Sequence, residues 1–228
     1  MPQTPFVLTI DGPSGSGKGT LCQLLAGHLG WHLLDSGALY RIVGLAAANR
    51  NISFDDEAAL ASLASDIDVE FIPSEPGEPA TVLLDGEDIT SQLRTELTGS
   101  YASKVAPIAV VRDALKARQR GFAKDDGLVA DGRDMGTVIF PDAPLKIFLT
   151  ASAQVRAERR YKQLINKDES VTFAALLKDI EERDERDMNR AIAPLKPAAD
   201  AVVIDSTELA IKEVFDQVLN LLQPLINK

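Results

Sequence analysis

The stretch that decides the fold is DGPSGSGKGT, residues 11–20. From Gly12 to Lys18 it fits G-x-x-x-x-G-K, a spacing at which backbone N–H groups wrap a phosphate and a lysine brings it a positive charge. In most loops of this kind the next residue is Ser or Thr, whose hydroxyl coordinates Mg²⁺; here it is Gly19, followed by Thr20. The flanks give the loop its context. Phe6 to Ile10 (FVLTI) reads as a strand, and Leu21, Leu24 and Leu25 begin a helical stripe that stops at Gly30. In a strand-loop-helix arrangement, Gly12, Pro13, Ser14, Gly15, Ser16, Gly17, Lys18, Gly19 and Thr20 can hold nucleotide phosphates at a helix N-terminus. A glycine-rich turn that merely starts a helix would not need Lys18 at this position.

Working outward, four more short apolar runs follow: HLLD (His32–Asp35), GLVAD (Gly127–Asp131), KIFLT (Lys146–Thr150) and AVVID (Ala201–Asp205). Each is followed by a candidate helix, the pattern of parallel strands buried on both faces. Leu39, Ile42, Val43 and Ala46 repeat the helical spacing, as do Val214, Val218, Leu221, Leu222 and Leu225 near the end. These are expected core positions. The expected class is α/β, a three-layer P-loop fold with a five-stranded parallel sheet. Two segments interrupt the alternation. Residues 66–95 carry VEFIP and TVLLDGEDI around the turn-rich SEPGEP, which predicts an inserted β-hairpin; residues 152–190 are helical and rich in charge, including Arg156, Arg159 and Arg160. Both are read as insertions on one domain spanning residues 1–228.

The composition narrows the function. The chain has 228 residues with 45% hydrophobic content, and 24 basic against 34 acidic residues give a net charge of -10. A broad nucleic-acid footprint is disfavoured by that charge. The single cysteine, Cys22, excludes an internal disulfide and a thiolate metal cluster, and His28 and His32 lack the third ligand of a zinc site. The N-terminal MPQTPFVLTIDG has no basic region before an apolar run, and no apolar stretch approaches membrane-spanning length, so a cytoplasmic protein without a membrane partner is expected.

A guanine-nucleotide switch would carry N-K-x-D after a core strand; the nearest match is Asn166-Lys167-Asp168-Glu169, inside the charged helical segment. G-K-G-T instead resembles the nucleoside monophosphate kinases. Three further motifs sharpen the likeness: DSGALYR (Asp35–Arg41), DGRDMGTVIFPDAP (Asp131–Pro144) and RDERDMNRAIAPL (Arg183–Leu195). With GPSGSGKGT and the inserted hairpin, they resemble the bacterial cytidylate kinases over essentially the whole chain. The resemblance implies transfer of the γ-phosphoryl group of ATP to CMP or dCMP by a monomer, with Mg²⁺ held mainly through the nucleotide phosphates. It implies that Ser36, Ser103, Arg112 and Asp134 read cytosine, that Arg183 and Asp187 meet the sugar, and that Arg190 meets the acceptor phosphate. Tyr40, Arg41 and Arg133 belong to the acceptor loops. Lys18, Arg133 and Arg190 would stabilise the transferring group, and Asp131 would help hold the hydrated ion. By periodicity alone Ser103 and Arg112 look like surface, and Arg186 has no functional match. The alternatives are a kinase for UMP or AMP and, from another class, a nucleotide-binding regulatory module, which would have no use for the DSGALYR and DGRD loops.

Overall fold

β1 (Val7–Asp11) is buried along its whole length, as a strand covered on both faces must be. The computed structural model describes residues 5–72, 81–124, 126–165 and 171–226, excluding the side chains of residues 71 and 72. After β1 the elements run α1 (Lys18–Leu29), β2 (His32–Asp35), α2 (Ser36–Asn49), α3 (Glu57–Asp66), β3 (Val69–Ile72), β4 (Thr81–Leu84) and β5 (Glu87–Asp88). Then come α4 (Glu96–Val105), α5 (Ala109–Arg120), β6 (Leu128–Gly132), a π-helical turn at Met135–Ile139, β7 (Leu145–Thr150), α6 (Ala153–Ile165), α7 (Phe173–Asn189), β8 (Val202–Asp205) and α8 (Ile211–Ile226). The chain falls into two compact units, Met1–Leu33 with Ala123–Lys228, and Leu34–Phe122.

The main sheet has the order β2-β6-β1-β7-β8, with β1 parallel to both β6 and β7, and β7 parallel to β8. Each of the five apolar runs in the sequence became one of these strands. The register sets Ile10 opposite Asp131 and Asp11 opposite Gly132, so β1 and β6 end level. Their following loops therefore leave the sheet side by side, at the carboxyl edge where ligands bind in open α/β sheets.

The core of this unit packs Leu8, Ile10, Val129, Ile147 and Leu149 against Leu21, Cys22 and Leu25 of α1 and Val214, Val218 and Leu222 of α8. Two expected core leucines are not in it: Leu24 is 45% exposed and Leu221 37% exposed. At about 100° per residue, the buried face of α1 runs through Leu21, Cys22, Leu25 and Ala26. Leu24 points away from the centre of that stripe, and the small Cys22 fills the place expected for it. Leu221 sits at the edge of its stripe for the same geometric reason.

In the unit Leu34–Phe122, β3 and β4 pair antiparallel, the hairpin expected from the sequence, and β5 adds a short third strand. The turn at Ser74–Pro79 lies outside the described residues. α2 and α4 approach so closely at Gly44 that a Cβ there would sit 2.8 Å from the Tyr101 Cβ, so only glycine fits.

Gly12 has a stricter requirement. Its φ is 149°, and a Cβ would lie 2.0 Å from the carbonyl oxygen of Leu149 in β7. Gly12→Ala should destabilise the protein by roughly 3 kcal/mol or more through strain and displacement of β7. Urea unfolding of the two proteins measures this; a loss below about 1 kcal/mol would show that the loop can relax around the methyl group.

Candidate active site

At the starts of α2, α3, α4 and α7, the side chains of Asp35, Asp56, Thr95 and Thr172 accept from backbone N–H groups. α1 has no such cap. Its N-cap is Gly17, no side chain accepts there, and no acidic residue lies in its first turn. The first N–H groups of α1 and the positive end of its dipole thus face the phosphate loop, as an anion site requires. Lys18, the first residue of the helix, is buried. Its Nζ donates to the Pro13 carbonyl at 2.7 Å and lies 3.5 Å from the Ser16 hydroxyl. Burial, reinforced by the charge of Arg133 and opposed by Asp131, lowers its pKa from 10.5 to about 8. At neutral pH the ammonium is still the main form.

Asp11 was not assigned a role from the sequence, although it opens the quoted stretch. Its two carboxylate oxygens accept from the backbone N–H groups of Met135 and Gly136, both at 2.8 Å. One buried side chain thereby ties the last residue of β1 to the turn that follows Arg133 and Asp134. Desolvation raises its pKa from 3.8 to about 6, against the opposing effect of the two hydrogen bonds. The available sequence signal was an acid at the end of an otherwise apolar strand.

Beyond that turn, Asp187 gathers arginines. The Arg133 Nε donates to Asp187 Oδ2 at 3.0 Å, and Arg190 Nη1 lies 4.0 Å from Oδ1. Burial disfavours its charge, yet the guanidiniums of Arg133, Arg190 and Arg183 prevail and hold the carboxyl below its usual range. Arg183 and Asp187 share a face of α7 as the i, i+4 spacing predicts. Arg190 does not continue that helix. It is the C-cap, with ψ 140°, and its Nε donates to the Ala193 carbonyl at 2.6 Å while its side chain turns back toward Asp187.

The charged segment contributes more than the sequence reading gave it. Arg156 is buried; it donates to the Ser14 carbonyl at 2.9 Å and forks onto both oxygens of Asp184. Arg159 donates to the Ser206 carbonyl at 2.6 Å, and the Ser206 hydroxyl donates to the Ser16 carbonyl at 3.2 Å. α6 is thus fastened to the phosphate loop. Charge density alone did not separate these two arginines from their exposed neighbours.

The other sequence-derived residues, Ser36, Tyr40, Arg41, Ser103 and Arg112, all belong to the unit Leu34–Phe122. Ser36 is buried at the start of α2 and donates to Gln119 Oε1 at 2.7 Å. Arg112 is 6% exposed, not surface as its periodicity suggested; it donates to the Ala106 carbonyl at 3.1 Å and lies 5.7 Å from the centre of the Tyr40 ring. Arg41 donates to the Leu93 carbonyl, and the half-buried Ser103 bonds within its own helix to Gly99. Asp134 is buried in the other unit, immediately before the π-helical turn.

The family model for cytidylate kinase matches residues 8–224. Curated cytidylate kinases from Aeromonas salmonicida (strain A449) and Pseudomonas fluorescens (strain SBW25) are 58% and 56% identical over 219 and 214 residues. These alignments cover 96% and 94% of this chain and 94% and 93% of the two relatives. A third relative of the same description, from Pseudomonas putida (strain W619), is 57% identical over 93% of each chain. Among solved structures, a gluconokinase from Sinorhizobium meliloti 1021 aligns over 98% of this chain and 94% of its own at 16% identity and TM-score 0.48, too distant to bear on function.

The two perturbed groups give two pH signatures. Asp11 keeps its proton to a higher pH when folded than when unfolded, so its contribution to stability is complete below about pH 4 and lost as the pH passes about 6. Relative to Asp11→Asn, the wild type should lose up to about 3 kcal/mol between pH 4 and pH 7.5, read by urea unfolding across that range. A constant difference would mean an unperturbed carboxylate. For Lys18, affinity for ATP should fall as the pH rises past about 8 and should stay level in Lys18→Arg, whose guanidinium does not titrate there. Isothermal titration from pH 7 to 9.5 reads both; parallel profiles would dissociate the effect from Lys18.

Proposed function

Since the chain belongs to the cytidylate kinase family, we propose that it transfers the γ-phosphoryl group of ATP to CMP or dCMP, giving ADP and CDP or dCDP. The observation that carries the reading is the convergence of Arg133, Arg183 and Arg190 on Asp187, with Arg133 close enough to Lys18 to depress its pKa. Such positive charge held around one buried carboxylate suits a reaction that brings the triphosphate of one nucleotide against the monophosphate of another.

ATP binds with its phosphates in the loop Gly12–Thr20, against the open N–H groups of α1. An oxygen of the CMP phosphate attacks the γ-phosphorus, the bond from that phosphorus to the β–γ bridging oxygen breaks, and ADP leaves. The attacking oxygen is already anionic at neutral pH, so no general base is required. Lys18, Arg133 and Arg190 supply positive charge where the three phosphoryl oxygens spread theirs. Arg41, Arg133 and Arg190 receive the acceptor phosphate, and Arg183 and Asp187 the sugar. When CMP arrives, its phosphate competes with Asp187 for the guanidiniums of Arg133 and Arg190.

Asp131 would help hold a hydrated Mg²⁺, whose charge would offset that of the phosphates. A Cβ built on Gly19 would lie 3.7 Å from Asp131 Oδ2, so the position that carries a hydroxyl in most loops of this kind is next to that carboxylate. Among the described residues no group of three or more acidic, histidine or cysteine side chains could hold a metal.

Ser36, Ser103, Arg112 and Asp134 read the base. Cytosine offers a 4-amino donor where uracil offers an acceptor, so a site built from buried acceptors discriminates between them. Residues 66–95 serve as the acceptor-binding insert and residues 152–190 as the helical lid, with α6 anchored to the phosphate loop and closure belonging to what lies beyond it. The protein acts as a monomer in the cytoplasm. Among the described residues, no helix is long and apolar enough to cross a membrane.

Purified protein with ATP, Mg²⁺ and a panel of nucleoside monophosphates tests the reading. Rapid ADP formation is expected with CMP and dCMP and weak turnover with UMP. Preferred turnover of UMP or AMP would reassign the acceptor, and absence of acceptor-dependent turnover would leave a regulatory module. Lys18→Ala should lower kcat by about 10³-fold with an unchanged circular dichroism spectrum. Asp134→Ala should cost kcat/KM for CMP much more than ATP affinity; equal losses would separate Asp134 from the base.

A further inference from the structure

We infer that Gln119 is a positioning residue for base selection: its side-chain carbonyl takes the hydroxyl proton of Ser36 and leaves that serine able only to accept from a ligand. The inference rests on the reading that Ser36 meets the base.

Gln119 lies near the end of α5 between two arginines, Arg118 and Arg120, where the sequence reads as solvated surface. It is nevertheless 0% exposed. With Arg112 and Leu115 it forms the buried face of α5, at the spacings i, i+3 and i+7 that one helical stripe takes. Its Oε1 accepts from Ser36 Oγ at 2.7 Å, and its Nε2 has no hydrogen-bond partner in the structure. A buried amide with an unsatisfied donor is a poor choice for packing, since leucine or methionine would fill a comparable volume without stranding a polar group. The bond to Ser36 is what a glutamine provides here and an apolar residue does not.

A serine hydroxyl has one proton to donate and two lone pairs with which to accept. Once the proton is directed to Gln119, Ser36 presents lone pairs alone. The 4-amino group of cytosine can donate to them, whereas the 4-carbonyl of uracil would meet them lone pair to lone pair. Gln119 has no exposed surface of its own, so it acts through the serine. Without the glutamine the hydroxyl can rotate and donate, and the base carrying a carbonyl becomes acceptable.

The test compares kcat/KM for CMP and for UMP, with ATP and Mg²⁺ saturating, in the wild type, Gln119→Leu, Gln119→Met, Ser36→Ala and the double variant Ser36→Ala/Gln119→Leu. Thermal unfolding checks that each is folded, and the methionine variant guards against a leucine that does not fit. The CMP-to-UMP ratio should fall about tenfold in both Gln119 variants, the size of one lost discriminating hydrogen bond, with KM for ATP unchanged. In the Ser36→Ala background, Gln119→Leu should change the ratio no further, because a residue acting through Ser36 has nothing left to act on. Folded Gln119 variants that keep the wild-type ratio within about twofold, while Ser36→Ala lowers it, would overturn the role of Gln119 and leave the base reading intact. An equal effect of Gln119→Leu with and without Ser36 would overturn it as well, by showing a route that bypasses the serine. If Ser36→Ala leaves the ratio unchanged, the base role of Ser36 falls and the inference falls with it. A wild type that uses UMP as well as CMP would instead overturn the base-selective reading itself.

Discussion

A single buried carboxylate holds the reaction end of the molecule together. The backbone register places the ends of β1 and β6 level, and the side chain of Asp11 ties the turn after β6 to β1 through both of its oxygens. Arg133 and Asp134 stand on the segment that this clamp fixes. Desolvation works against the charged form and raises its pKa to about 6, so at neutral pH the clamp is kept ionised at a cost in stability. Two backbone donors aimed at one acid are what make that tolerable. Sites of this kind place stability at risk where geometry has to be exact to a few tenths of an ångström.

A second carboxylate, Asp187, organises charge instead of backbone. Arginines brought close together repel one another, and a cluster with no anion among them would spread into solvent. Asp187 keeps Arg133, Arg183 and Arg190 gathered, and its depressed pKa is the reciprocal sign of their attraction. On the proposed reading the carboxylate would preorganise guanidiniums for a phosphate of the same sign. The Arg156–Asp184 pair follows the same logic one turn earlier on α7, but there the arginine also grips the Ser14 carbonyl and holds the phosphate loop.

Much of this was legible in the sequence, for identifiable reasons. The five strands of the main sheet are short apolar runs bounded by turn signals, and buried parallel strands have no polar face to obscure them. The loop from Gly12 to Lys18 was legible because its glycines and lysine have few other reasons to stand at that spacing. What periodicity misread shares one cause. Leu24, Leu221 and Arg112 were judged by residue type, while burial depends on which helix packs where, and that is fixed by partners distant in the chain. Asp11 was missed because its partners are backbone groups, which carry no sequence signature, and Arg156 because its grip on the Ser14 carbonyl carries none either. Arg190 stands just past the end of its helix at Asn189, yet its side chain turns back to within 4.0 Å of Asp187.

The uncapped start of α1 has a consequence for the thermodynamics of the whole chain. The four other helix starts described above are completed by the protein's own side chains, whereas α1 leaves its terminal donors to whatever anion it holds. A bound polyphosphate is then part of the secondary structure as well as cargo: it finishes a helix whose Leu21 and Leu25 lie in the central core. Occupancy and melting temperature become two readings of one free energy, worth about 2.7 kcal/mol when the ligand stands at a hundred times its dissociation constant. The cellular nucleotide pool would in that sense act as a folding cofactor for the protein that consumes it.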